Sequence, residues 1–100
     1  MNALAEKIAE TIRANADDLR RRGISHIALF GSVARGEARA DSDVDFAVDL
    51  DPDARISLIG LEGLRRHLEE LLGRSVDIGT RRSLKTYFKA EFDREHVEIF

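Results

Sequence analysis

The sequence predicts an α/β domain with a small mixed β-sheet flanked by helices. Amphipathic segments with apolar residues about 3.6 positions apart alternate along the chain with short apolar runs that are typical of strands. The helical segment between the second and third runs is long enough to form a crossover between parallel strands. The chain has 100 residues, a length that suits one core, so we expect a single domain spanning residues 1–100.

The first elements are predicted to be an amphipathic helix and a central strand. The helix runs from Ala3 to Arg22 and ends at Gly23, a residue typical of helix C-termini. A short, mostly apolar run from Ile24 to Phe30 then predicts a strand with both faces covered. The apolar face of the helix comprises Leu4, Ile8, Ile12 and Leu19.

A bend and a second strand follow the first strand. Gly31 and Ser32 open a short helix that is predicted over Val33 to Ala38. A loop over Arg39 to Ser42 leads to the second strand, Val44 to Leu50. The bend therefore lies between two strands, where loop residues are held by a rigid scaffold.

The second half of the chain predicts a turn, a crossover helix, a third strand and a final helix. The turn is at residues 51–53, the crossover helix runs from Ile56 to Leu72, and the third strand runs from Ser75 to Gly79. Residues 96–100 close the chain with another apolar alternation. The final helix is indicated by residues four positions apart, with Tyr87 beside them: Leu84, Phe88 and Phe92.

Composition excludes several classes of protein. The chain is 43% hydrophobic and 35% charged, as in soluble globular domains. Its net charge of -3 gives no indication of direct nucleic-acid binding, which we do not expect. Without cysteine there is no disulfide or thiolate metal site. Because no apolar run approaches the roughly 20 residues that span a bilayer, we expect a cytoplasmic protein with no membrane association.

Two aspartates mark a candidate metal site. In a strand, Asp43 and Asp45 project from the same face with Cα atoms roughly 6.5–7 Å apart. Mg²⁺ prefers oxygen ligands and usually takes one or two carboxylates plus substrate phosphates. The bend at Gly31 and Ser32 presents backbone N–H groups of a helix start to anions. Together these residues predict a nucleotide site, although an Asp-x-Asp pair alone is more often solvated surface.

Asp77 is the third candidate carboxylate. If the third strand lies beside the second, Asp77 points from the same end of the sheet as the aspartate pair. Two carboxylates would then bridge a pair of Mg²⁺ ions roughly 3.5–4 Å apart, as in phosphoryl transfer. The third would accept a proton from an attacking hydroxyl group.

These motifs resemble a known family. The run Gly31-Ser32-Val33-Ala34-Arg35-Gly36, followed by Ser42-Asp43-Val44-Asp45, resembles the signature of minimal nucleotidyltransferases in the DNA polymerase beta superfamily. Val76-Asp77-Ile78 is similar to the third acidic strand of that family. The resemblance implies a nucleotidyltransferase fold. It also implies an antitoxin that transfers AMP from ATP to a tyrosine of a HEPN ribonuclease toxin, its partner in a hetero-oligomer.

The resemblance also assigns roles to individual residues. Two Mg²⁺ ions and ATP are the implied cofactor and substrate. The implied catalytic and metal-binding residues are Asp43, Asp45 and Asp77. The implied nucleotide-binding residues are Gly31, Ser32, Arg35 and Ser42, with Ser42 expected chiefly to support its turn.

Three functions remain open from the sequence. A single small domain has no second domain to enclose a small-molecule acceptor, so a protein acceptor that brings its own surface is favoured. The alternative is an antitoxin that masks the toxin by binding and has no catalytic activity. An enzyme that modifies RNA ends is disfavoured by the acidic charge balance.

Overall fold

The computed structural model describes residues 2–100 and, among them, the side chains of residues 2–84 and 89–100. Five α-helices and four strands occur in this described part of the chain. Their order is α1 (Ala3–Ala14), α2 (Ala16–Arg21), β1 (Ile24–Phe30), α3 (Gly31–Arg35), β2 (Val44–Leu50), α4 (Leu58–Leu72), β3 (Val76–Thr80), α5 (Arg81–Glu95) and β4 (Val97–Glu98).

The strands form one mixed sheet in the order β3-β2-β1-β4. β1 pairs with β2 and with β4 in antiparallel orientation, whereas β2 pairs with β3 in parallel. Helix α4 makes the crossover between the parallel strands, which is the connection that its length predicts. The predicted α/β class, the mixed sheet and the interior position of β1 are confirmed.

One face of the sheet carries the main core. Large apolar side chains of β1 and β2, such as Leu29 and Phe46, are fully buried there. Helices α1, α2 and α4 cover this face. Their large buried side chains are Ile8, Ile12, Leu19, Leu64 and Leu68.

In the described part of the chain, helix α5 packs on the opposite face. Its centre consists of small residues, because Ala28 of β1 pairs with Ala47 of β2 and both are fully buried. Phe92 of α5 packs against them in a second, smaller cluster. Asp45 of β2 and Asp77 of β3 lie on this face near the start of their strands, outside the small cluster.

The predicted single helix over residues 3–22 is wrong, because Asn15 divides it into α1 and α2. The Asn15 side chain donates to the Thr11 carbonyl at 2.8 Å, and its backbone N–H bonds to the Ile12 carbonyl. An asparagine side chain competes in this way with the helical backbone pattern. Leu19 of α2 is fully buried in the core, as the apolar spacing predicts.

The short helix was predicted too late in the chain. It spans Gly31–Arg35 rather than 33–38, because Gly36 adopts a left-handed conformation with φ 77° and ends it.

The turn predicted at 51–53 is a short 3₁₀ segment, Pro52–Ala54, which the Asp51 side chain caps by accepting a hydrogen bond from the Asp53 N–H.

Other boundaries differ by one or two residues. Helix α4 begins at Leu58, because the Ser57 hydroxyl caps it by accepting from the Gly60 N–H at 3.1 Å. Strand β3 continues to Thr80, whose side chain then caps α5. The side chains of Tyr87 and Phe88, expected on the last helix, lie outside the described residues. Among the helices described, none has the length and apolar character to cross a bilayer.

Candidate active site

Three strands bring the predicted site residues to one end of the sheet. Phe30, the last residue of β1, pairs with Asp45 of β2, and Asp45 pairs with Asp77 of β3. Paired residues on neighbouring strands lie about 4.8 Å apart and point to the same face. The Asp45 and Asp77 side chains therefore project together, on the face that α5 covers only in part. Asp43 lies two residues before Asp45, directly outside the strand, and is exposed.

The electrostatics of Asp45 show how closely the three carboxylates interact. Asp45 is half-buried, and burial is the main cause that raises its pKa from 3.8 to about 6. The negative charges of Asp77 and Asp43 raise the pKa further, whereas Arg35 lowers it. This end of the sheet thus holds more negative charge than its own residues neutralise.

Gly31 packs directly against this carboxylate. Its φ is 76°, a left-handed conformation in which an L side chain is strained. A Cβ at this position would overlap the Asp45 Oδ2 atom. Glycine is therefore required at this position for two reasons, the left-handed backbone conformation and the contact with Asp45. The bend and the acidic residues form one continuous site.

Ser32 and Ser42 support the two loops of the site. The Ser32 carbonyl accepts from the Glu37 N–H at 2.8 Å, which closes the turn after α3. The Ser42 hydroxyl accepts from the Arg39 N–H at 2.8 Å and supports the loop before β2, in agreement with its expected role in the turn. The first N–H groups of α3, at Gly31 and Ser32, lie where a helix has no internal acceptors.

Arg35 lies at the rim of the site and is held by two carboxylates. Its Nε donates to Glu37 at 3.1 Å, and its Nη1 donates to Glu95 of α5 at 3.2 Å. These bonds raise the pKa of Arg35. Beside the guanidinium is a cavity of about 120 Å³ between α3 and the end of α5. Its lining residues are Phe30, Gly31, Arg35, Glu91, Phe92 and Glu95.

The donor set fits Mg²⁺ that arrives with a phosphate ligand. In the part of the chain with described side chains, no group of three or more His, Cys, Asp or Glu residues could hold a metal ion. Asp43, Asp45 and Asp77 are therefore not a preformed metal cage. Mg²⁺ normally uses one or two carboxylates and completes its shell with water and substrate phosphates. Burial, and then the charges of Asp77 and Asp43, raise the pKa of Asp45, and a bound cation would offset both effects by stabilising the ionised carboxylate.

Two contacts beside the candidate site were missed by sequence reasoning. The Arg74 guanidinium donates to the Arg39 carbonyl at 3.2 Å and so reaches the loop that leads to Asp43. Glu69 of α4 accepts from the Val76 N–H at 3.0 Å and holds the start of β3. Neither residue belongs to a periodic pattern or to the signature motifs, so the sequence alone carried no signal for them.

A family model described as a nucleotidyltransferase domain matches residues 10–99 of this chain. A protein adenylyltransferase, MntA, from Thermococcus cleftensis is 40% identical over 95 residues, which cover 94% of each chain. A solved minimal nucleotidyltransferase is 38% identical, with a TM-score of 0.67, over 89% of this chain and 93% of the other.

A solved toxin–antitoxin complex also resembles this fold. The complex contains MntA and HpeT, and the matched chain is 25% identical to this one with a TM-score of 0.65. The match covers all of this chain and 72% of the other. The predicted nucleotidyltransferase fold is therefore confirmed by a family model and by solved structures.

Proposed function

Because this chain belongs to the nucleotidyltransferase domain family, we propose that it transfers AMP from ATP to a tyrosine of a HEPN ribonuclease toxin and thereby acts as an antitoxin. The observation that carries the proposal is the convergence of Asp45, Asp77 and Gly31 at one end of the sheet. The adenylyltransferase activity in the name of the 40% identical relative supports AMP as the transferred group. The similarity to a toxin–antitoxin complex supports the biological role.

The nucleotide is held by the bend and by the acidic residues. Gly31 and Ser32 present backbone N–H groups to the triphosphate, and the missing side chain of Gly31 lets the Asp45 carboxylate lie directly against the bend. Asp43 and Asp45 hold Mg²⁺, which neutralises charge on the phosphates when bound. Arg35 interacts electrostatically with Asp45, and its guanidinium would bind the phosphates once Glu37 and Glu95 release it.

The proposed chemical step is an in-line displacement at the α-phosphorus. The acceptor hydroxyl oxygen forms a bond to that phosphorus, the bond between the phosphorus and the bridging oxygen breaks, and pyrophosphate leaves. The acceptor proton moves to a carboxylate, and Asp77 is the candidate because it is exposed beside Asp45. The alternative role for Asp77 is that of a third metal ligand. Positioning and charge neutralisation supply most of the catalysis in such transfers.

The acceptor is proposed to come from a second protein. The cavity beside the site, at about 120 Å³, is smaller than the roughly 300–1,000 Å³ typical of small-molecule pockets. A tyrosine on a partner surface needs no enclosing second domain, since the partner supplies its own surface.

The test uses the purified protein, Mg²⁺, labelled ATP and the cognate toxin. We expect transfer of label to the toxin and loss of ribonuclease activity. The Asp43→Ala/Asp45→Ala double variant should transfer no label and should leave the toxin active. Asp41→Asn, an exposed aspartate of the same loop, is the matched control and should transfer label normally.

Two results would contradict the proposal. If the double variant still neutralises the toxin, the protein acts by masking and not by catalysis. If the wild-type protein labels RNA but not the toxin, the acceptor is a nucleic acid.

A further inference from the structure

Arg74, which is distant in sequence, forms a hydrogen bond with the loop between α3 and β2. Arg74 follows directly after Gly73, which caps α4. One guanidinium nitrogen of Arg74, Nη2, donates to the Arg39 carbonyl at 3.2 Å and contacts the Ser42 carbonyl at 3.5 Å. These two carbonyls are three residues apart, at the two ends of the turn that precedes Asp43. Arg74 thus spans that turn from outside.

The next residue completes the attachment. The Ser75 carbonyl accepts from the Val44 N–H at 2.9 Å. The carbonyl before Asp43 therefore contacts Arg74, and the N–H after Asp43 bonds to Ser75. Two consecutive residues hold the backbone on both sides of Asp43, whose own side chain is exposed.

Arg74 is well suited to this task. The Nη2 amino group of the planar guanidinium carries two N–H donors, so this one nitrogen can face both carbonyls, whereas a lysine ammonium acts as a point charge. The Arg74 Nε is buried without a hydrogen-bond partner among the described residues. Burial of an unsatisfied donor is unfavourable, so the position of this side chain is better explained by its contacts with the loop.

We propose that Arg74 is a positioning residue that fixes the backbone at Asp43 and thereby sets the geometry for binding of the Mg²⁺–nucleotide. The proposal rests on the proposed function in one respect, the role of Asp43. Arg74 is not among the residues that we propose to contact the substrate or the reacting atoms. It acts through the Arg39 and Ser42 carbonyls. Supporting residues of this kind typically change metal affinity or activity about 10–100-fold when removed.

The first experiment measures backbone hydrogen exchange without any ligand. In Arg74→Gln, the Ser42 and Val44 amide protons should exchange about 10-fold faster than in the wild type, because the turn loses a charged hydrogen-bond donor. The amide of Leu29, in the core strand β1, should keep its protection. Arg66→Gln, on the exposed side of α4, is the matched control and should resemble wild type at all three amides.

The second experiment measures binding of a non-hydrolysable ATP analogue with Mg²⁺ by calorimetry, and the KM for ATP in the transfer assay. For Arg74→Gln we expect both constants to rise about 10-fold, with a smaller change in kcat. Arg74→Lys should give intermediate values, since it restores the charge but not the planar pair of donors. The Arg66→Gln control should bind the analogue as wild type does.

The outcomes separate this inference from the proposed function. Wild-type protein that transfers no AMP contradicts the proposed function, while exchange and analogue binding still test Arg74. The inference is overturned if Arg74→Gln keeps the protection of Ser42 and Val44. It is also overturned if Leu29 loses protection to the same extent, or if analogue binding is unchanged.

Discussion

The substitution Asp45→Asn should stabilise this protein at neutral pH. The pKa of Asp45 is raised to about 6 in the folded chain, against 3.8 as its ordinary value. Between these values the folded state binds more protons than the unfolded state, so the free energy of unfolding falls as pH rises through this window. Above about pH 6 the ionised carboxylate is a net cost to folding. An asparagine removes that charge and keeps nearly the same shape.

The size of the effect follows from the shift. A difference of about 2 pKa units corresponds to about 3 kcal/mol at 1.36 kcal/mol per unit. Because Asp45 is only half-buried, solvent screening reduces the stabilisation to about 1–2 kcal/mol. In a domain of this size, each kcal/mol raises Tm by about 4–8 °C. We expect Tm at pH 7 to rise by at least about 4 °C.

The assay is thermal unfolding of wild type and Asp45→Asn in the presence of a chelator, at pH values from 4 to 7.5. The stabilisation should be largest at pH 7 and should shrink towards pH 4, where the wild-type carboxyl group becomes protonated. Asp41→Asn, an exposed aspartate in the neighbouring loop, should show neither the gain nor its pH dependence. An Asp45→Asn protein that is less stable than wild type at pH 7, or whose gain does not vary with pH, would refute the reasoning.

Three further substitutions test the packing around the site. Gly31→Ala should lose nucleotide binding, measured by calorimetry, because the new Cβ overlaps Asp45 and the φ of 76° strains an alanine; normal binding would contradict the contact. Gly63→Ala should raise the free energy of unfolding by about 0.5–1 kcal/mol in urea titrations, since the added Cβ has no atom within 4 Å. A loss of stability there would indicate a clash. Phe92→Ala should lower the free energy of unfolding by about 3–5 kcal/mol, measured in the same way, because Phe92 of α5 is only 2% exposed. A decrease of less than about 1 kcal/mol would show that the packing of α5 does not depend on this ring.

Elements with strong local signals were predicted accurately. The bounds of β1 and β2 agree with the structure, because β1 is a short apolar run between two glycines and β2 is an alternating run between two aspartates. The parallel pairing of β2 with β3 followed from the length of the intervening helix. That pairing, together with the two-residue periodicity of strands, predicts Asp77 at the same end of the sheet as Asp43 and Asp45, whereas the register that pairs Asp45 with Asp77 is visible only in the structure.

Features that depend on competition or on distant contacts were not predictable in this way. The break at Asn15 arises because one side chain competes with the helical backbone, a balance that apolar periodicity does not report. The ion pair of Arg35 with Glu95 joins residues 60 positions apart. The attachment of Arg74 to Arg39 likewise depends on where α4 ends relative to the loop. Contacts of this kind are set by tertiary packing, and spacing within one segment carries no information about them.

The position of α5 explains why the site is open at this end of the sheet. Small residues in the centre of the face let the helix approach closely, as a Cβ on Gly79 would already lie 3.2 Å from Leu84. Phe92 fills the space above Ala28 and Ala47, and the C-terminal end of α5 reaches Arg35 through Glu95. Because α5 packs over this small cluster, it leaves Asp45 only half-buried. Asp43 and Asp77 are exposed as well, so this end of the sheet is accessible to the partner surface that we propose as the acceptor.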